Sequence, residues 1–221
     1  MTLQIDMISD LVCPWCWLGL RRLNTAVEAV REDGLDDVYL RFLPFQLDPN
    51  VPAEGVPYGE YMKAKFGPDG PDNKWLQMRA VLEDAGENEG IPFRFSGMPK
   101  RINTRNGHRL VRWAQGQNKG AEAKEALMNA YFNLHQDIND FHVLISIAES
   151  VGLLPDVVEK LLKEDADLDV IQQEETFVRN LGVAGVPVFI ANGKYAMQGA
   201  QEVDDLKMFL KTAVEKDQVA N

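Results

Sequence analysis

The stretch Ser9-Asp10-Leu11-Val12-Cys13-Pro14-Trp15-Cys16-Trp17-Leu18-Gly19 holds both cysteines of the 221-residue chain in one CxxC. Before it, Leu3 to Ile8 forms a short apolar run. After it, Cys16, Leu20, Leu23, Val27 and Val30 recur at steps of four and three. This pattern predicts a strand, a tight turn and an amphipathic helix. Side chains three apart on a helix lie about 5 to 6 Å from each other, within the reach of a disulfide, so the two sulfurs can join and part with little backbone movement. Cys13 falls at the helix start, where unpaired N–H groups and the positive end of the dipole favour an anion such as a thiolate. Pro14 suits the first turn, where its missing N–H is no loss. Cys13 is therefore the expected nucleophile, and Cys16, one turn inside on the buried stripe, the resolving thiol.

The formal charge of −11 argues against a nucleic-acid or anionic-membrane surface, because counterion release needs clustered Lys and Arg. The N-terminal residues lack a basic leader, and no apolar run reaches the length of a membrane span. A cytoplasmic location is expected, and in that reducing compartment a lone CxxC is catalytic or metal-binding. Structural zinc takes four ligands; with no further cysteines, two of His108, His135 and His142 would have to serve, and the last two are spaced poorly for it. His135 continues the stripe of Met128 and Phe132 and is expected on a helix. His108 is expected to pack beneath the site without a catalytic role.

Val38 to Leu43 reads as a second strand ended by Pro44, so that strand, helix and strand suggest a parallel crossover. Phe45 to Pro57 is a loop. From Tyr58 to Asn180 the periodicity is helical, with stripes such as Trp75, Met78, Leu82 and Leu127, Tyr131, Leu134, and breaks at 67–71, 86–92, 96–99, 116–120 and 152–155. Four to seven helices are expected there. The acidic runs 83–89 and 164–169 read as solvated helix ends. Val188 to Ala191 and Lys194 to Met197 around Asn192-Gly193 predict a type I′ hairpin. A last helix carries Val203, Leu206, Leu210 and Ala213, with a frayed polar tail after Glu215.

Taken together, Ser9-Asp10 before Cys13-Pro14-Trp15-Cys16, then Phe45 to Pro52, Asn103-Thr104 with His108-Arg109-Leu110, Gly185-Val186-Pro187 and Gly199-Ala200-Gln201 resemble the DsbA-like thioredoxin-fold family, in its cytoplasmic FrnE-like branch of disulfide oxidoreductases. The resemblance implies an α/β thioredoxin fold with a large all-helical insertion domain. Residues 1–57 and 181–221 would form the discontinuous thioredoxin-like domain and 58–180 the insertion. It implies a cis Val186-Pro187 bond facing the CxxC, with the Val186 backbone pairing an extended substrate. Pro14, Trp15, Val186 and Pro187 are then the substrate-binding residues beside catalytic Cys13 and Cys16.

No cofactor beyond the redox-active Cys13–Cys16 disulfide is expected. The implied partners are proteins bearing thiols or disulfides, with glutathione or a thioredoxin-type reductant supplying electrons, and neither nucleic acid nor membrane. Trp15 in place of the histidine of the periplasmic CPHC oxidants implies a less oxidising pair. Two rival readings are a glutathione-dependent isomerase or transferase of the 2-hydroxychromene-2-carboxylate isomerase type, whose branch carries serine in place of Cys13, and a holdase-like polypeptide-binding protein.

Overall fold

The computed structural model describes residues 2–35, 37–68, 70 and 72–219. Asp69 and Pro71 of the expected break at 67–71, and the last two residues of the tail, lie outside them. β1 (Leu3–Ser9) is buried along almost its whole length, as befits a strand covered on both faces. It sits inside a four-stranded sheet of order β2-β1-β5-β6. β2 (Val38–Pro44) runs parallel to it with Leu3 opposite Val38, and β5 (Val188–Ala191) antiparallel with Ile5 opposite Ala191. The one carboxylate buried within β1, Asp6, lies in register with Arg41 on β2, whose Nε donates to it at 2.7 Å. α1 (Pro14–Glu32) makes the crossover between the two parallel strands and buries Cys16, Leu20, Leu23, Val27 and Val30, the stripe expected from the sequence. It packs on α9 (Val203–Val219).

Between β2 and β5 come seven helices among the described residues: α2 (Tyr58–Phe66), α3 (Lys74–Asn88), α4 (Arg105–Gln115), α5 (Gly120–Phe132), α6 (Phe141–Ser150), α7 (Pro155–Lys163) and α8 (Leu168–Asn180). Two short strands interrupt this otherwise helical stretch, β3 (Val56–Pro57) and β4 (Lys100–Arg101), paired antiparallel. Two residues give no readable period, which is why periodicity missed them. α4, α5 and α8 pack along β2. Leu82, Leu127 and Phe132 of the insertion share one hydrophobic core with Leu23 and Phe189 of the sheet and α1. Trp17 is the bridge, its ring 5.4 Å from Phe93 and 5.9 Å from Phe132.

Four expectations need correction. The Asn192-Gly193 turn forms, both residues having positive φ and Lys194 N–H donating to the Ala191 carbonyl at 3.0 Å. Yet Ala191 pairs with Tyr195 at the start of β6 (Tyr195–Gln198), so Lys194 is an extra residue, a bulge that turns its ammonium onto Asp217 at 2.8 Å. That same Asp217, buried and also taking the Asn192 amide at 2.7 Å, holds α9 helical to Val219 where a frayed tail was expected. His135 lies beyond the end of α5 with φ of 55°, its Nε2–H donating to the Arg94 carbonyl at 2.6 Å. The acidic runs are not simply solvated: Glu89 accepts from Arg22 at 2.9 Å and Asp167 from the Trp113 indole at 2.7 Å.

Gly19 is where α1 meets the loop before β5. A Cβ there would stand 3.1 Å from Pro187 Cγ and 3.2 Å from Phe189 Cζ. Gly19→Val is expected to destabilise the fold by about 1–3 kcal/mol through overpacking. Urea unfolding reads the loss, and an unchanged midpoint would show that the loop yields freely.

Candidate active site

Cys13 is the N-cap residue of α1, with extended φ and ψ of −103° and 109°, and Pro14 follows in the first turn. The Cys13 carbonyl accepts from Cys16 N–H at 3.0 Å, opening the helix, and no acidic side chain occupies its first turn. The pair is a dithiol with both residues buried, Cys13 at 4% exposure and Cys16 at 0%. The small remaining exposure belongs to the residue at the helix start.

Across from it comes the loop after α8. Val186-Pro187 is a cis peptide, and the Cys13 Sγ–H points at the Val186 carbonyl 3.8 Å away although 173 residues separate them in sequence. Trp15 is half-buried and stands with Cys13 and Pro14 on one wall of a chamber. Every residue singled out in the sequence as catalytic or substrate-binding is therefore gathered at one end of α1. Of the histidines, His108 alone comes near, on α4, with Nε2 3.5 Å from Asp10 Oδ1.

Beneath the cysteines lies a group of buried polar residues whose convergence the sequence did not reveal. Asp10 Oδ2 accepts from Leu47 N–H at 2.8 Å. Asp10 Oδ1, His108 Nε2, Ser9 Oγ and Lys124 Nζ are buried and make no hydrogen bond among the described residues; at 3.5 Å the Asp10–His108 contact is long for one. Burial pushes the Asp10 carboxyl up, but His108, Arg101 and the Leu47 N–H outweigh it and hold the carboxyl below its ordinary value. Burial drives His108 down, against the opposing pull of Asp10. Burial together with Cys13 pushes the Cys16 thiol well up. Burial brings the Lys124 ammonium down to about 8, against the opposing pull of Cys16, Asp10 and Cys13. Arg101, also buried, ties the site from β4: its Nη1 donates to the Val12 carbonyl at 2.8 Å and its Nε to Asp48 at 3.1 Å. The signal for Lys124 was present in the sequence, since it sits on the α5 stripe of Gly120, Ala123, Leu127 and Tyr131 where an apolar residue belongs.

The arrangement places one thiol at a helix start, a second, buried thiol one turn away and a backbone carbonyl opposite. Among the described residues no three His, Cys, Asp or Glu side chains gather as a metal ligand set. Among the described residues no helix is long and apolar enough to cross a membrane.

Residues 4–211 match the family model described as the DSBA-like thioredoxin domain. The protein YwbO of Bacillus subtilis (strain 168) is 25% identical over 205 residues, covering 92% of this chain and 94% of that one. Among solved structures, the probable DsbA oxidoreductase SCO1869 from Streptomyces coelicolor superposes with a TM-score of 0.86 at 25% identity, over 96% of this chain and 90% of that one. The cytosolic disulfide reductase DsbM from Pseudomonas aeruginosa, solved with GSH, superposes with a TM-score of 0.66 at 18% identity, over 96% and 99%; at that identity the likeness is one of fold. The α/β thioredoxin fold expected from the sequence is the fold observed.

A buried lysine near 8 makes stability depend on pH in a definite direction. Between about pH 8 and the ordinary lysine value of about 10.4, the unfolded chain holds a proton that folded Lys124 has lost, so this group's contribution to stability rises with pH there. Cys16 acts oppositely, because the unfolded thiol loses its proton first. Lys124→Met should therefore be more stable than the parent at pH 7, by on the order of 1–3 kcal/mol, with the gap closing as pH rises to 10. Urea melts of both reduced proteins at pH 7 and 9.5 measure it; a gap that does not change with pH would contradict this placement of the lysine.

Proposed function

The chain belongs to the DSBA-like thioredoxin domain family, and on that premise we propose that it is a cytoplasmic, FrnE-like dithiol–disulfide oxidoreductase acting on protein substrates through Cys13 and Cys16. The observation that carries this reading is Cys13 at the N-cap of α1, facing the Val186 carbonyl at 3.8 Å, with Cys16 fully buried behind it.

The exchange runs as follows. The Cys13 thiolate attacks one sulfur of a substrate disulfide; a Cys13–substrate disulfide forms, the substrate S–S bond breaks, and the other substrate sulfur leaves as a thiolate that takes up a proton. Cys16 gives up its proton and attacks Cys13 Sγ, which expels the second substrate thiolate and leaves Cys13 and Cys16 joined. Two electrons pass from the dithiol to the substrate. A monothiol of the glutathione class or a thioredoxin-type dithiol returns them. DsbM, solved with GSH, supports the first of these. Run in reverse, the same steps oxidise a substrate dithiol. Val186 offers its backbone to the strand of substrate beside the cysteine, and Pro14 and Trp15 border the approach. The resolving thiol, buried one turn from Cys13, favours this chemistry over glutathione-dependent isomerisation of the 2-hydroxychromene-2-carboxylate type, which has no use for a second cysteine.

Division of labour between the thiols is testable in cell extracts. Cys16→Ala should accumulate mixed disulfides with protein partners on non-reducing gels, since it keeps the attacking thiol and lacks the releasing one. Cys13→Ala should accumulate none; equal trapping by both variants would refute the assignment.

A further inference from the structure

Cys13 is only 4% exposed, so a substrate disulfide cannot line up with its sulfur until something beside it moves. The space next to that residue is a chamber of about 110 Å³ between Cys13 and Pro14 at the start of α1 and Tyr58, Tyr61 and Met62 of α2. Its other walls come from α3 and α5. α1, α3 and α5 each bury residues in the core, whereas α2 buries none. Local opening costs least where few apolar contacts are buried, which singles out α2 as the wall that moves.

Both ends of α2 are pinned through the backbone. Tyr58 N–H donates to the Pro99 carbonyl at 3.1 Å beside the β3–β4 pair, and the Asn73 amide at the start of α3 donates to the Gly67 and Pro68 carbonyls at 3.2 and 3.0 Å. Between these pins the helix rests on α3 through Phe66, whose ring stacks 6.0 Å from that of half-buried Trp75. It is joined to the loop after β2 and to β4 by one polar cluster. Lys65 Nζ lies 3.3 Å from Asp48 Oδ1 and donates to the Tyr61 hydroxyl at 2.6 Å. Arg101 donates from Nε to the same Asp48 at 3.1 Å and lies 5.1 Å from the centre of the Tyr61 ring. Burial pushes the Asp48 carboxyl up, but Tyr61, Arg101 and Lys65 outweigh it and hold the carboxyl below its ordinary value, so the cluster is ionised at pH 7. Lys65 and Asp48 both keep contact with solvent, which makes their pair weak enough to part in every turnover.

We propose that α2 is a strap across Cys13 that rolls between its two pinned ends, and that the contact of Lys65 with Asp48 is the latch holding it shut. The inference rests on the oxidoreductase reading above for what passes the strap, and adds to that reading the step that admits it. When the latch parts, Tyr61 and Met62 swing off the chamber and uncover Cys13, while α1 and the loop that carries Val186 keep their places. The latch ion pair re-forms from groups that stay on the body, because Asp48 remains bound to Arg101.

The test follows alkylation of Cys13 by iodoacetamide in the full-length chain, with Cys16→Ala as background so that one thiol remains. The reagent meets the sulfur only while the strap is open, so the rate follows the open population. Adding Lys65→Ala should raise that rate roughly 2- to 5-fold, the range expected from losing a partly exposed ion pair. Removing a cation near a thiolate would by itself slow the reaction, so an electrostatic role alone moves the rate the other way. Added salt should speed the protein that keeps Lys65 and leave the Ala variant nearly unchanged. Lys65→Gln takes its place should the Ala variant fail to fold. An equal or slower rate on loss of Lys65, or the same salt response with and without it, overturns the strap. Alkylation needs no disulfide exchange, so the two readings fail separately: a faster Lys65→Ala in a protein that turns over no disulfide substrate would uphold the strap and overturn the oxidoreductase reading.

Discussion

A carboxylate shut away at the end of the central strand has to be satisfied without water, and the geometry around Cys13 follows from how this is done. Asp10 is 1% exposed. Its Oδ2 takes the Leu47 N–H from the loop after β2, its Oδ1 faces His108 on α4, and its own carbonyl receives the Cys13 N–H at 3.3 Å. One residue therefore ties together the strand end, the turn into α1, the return loop and the insertion. A buried acceptor left unpaired costs about 1–3 kcal/mol, so any shift of the turn away from Leu47 is penalised. The Ser9 carbonyl, accepting from Phe45 N–H at 3.2 Å, fixes the same junction one residue earlier. Cys13 is held at the helix start by these bonds and by Arg101 on the Val12 carbonyl.

With its first turn fixed, α1 is clamped along its length. Glu125 Oε1 on α5 takes both the Trp17 indole at 2.7 Å and Arg21 Nε at 2.8 Å. Arg22, nearly buried, reaches Glu89 and the Ala200 carbonyl, each at 2.9 Å. The helix is thus joined to α5, to the end of α3 and to the loop after β6. A disulfide needs its Cα atoms held within a narrow range. The clamps supply that constraint from outside the CxxC.

What the sequence disclosed was what repeats or what punctuates. The step of three and four after Cys16 disclosed α1, and Asn192-Gly193 disclosed a turn; that the Val186-Pro187 loop meets the CxxC was implied only by the family resemblance. What stayed hidden depends on single side chains choosing partners across the fold. The extra Lys194 in the hairpin is chosen by Asp217, twenty-three residues further on, and nothing local distinguishes it from a strand residue. The β3–β4 pair is too short to carry a period. Lys124 was visible as a charge on an apolar stripe, which a solvated helix edge also produces; only the position of α5 against β2 decides that it points inward, its ammonium 5.6 Å from the Phe42 ring centre.

That lysine shows how closely the insertion is joined to the cysteine pair. An apolar side chain of similar volume would remove the cost of burying an unpaired ammonium, so packing gives no reason for a charge at this position. The groups that offset its burial are Cys16, Asp10 and Cys13, and in return its charge draws the Cys16 thiol down against the upward push of burial. Titrations coupled in this way belong to the group of residues and not to any one member. The thiols come from α1, the carboxylate from the strand end, and the cation and imidazole from α5 and α4. A thioredoxin-like sheet with its CxxC helix would supply the sulfurs alone, whereas the electrostatic setting in which Cys16 gains or loses its proton is assembled only when the insertion has packed along β2.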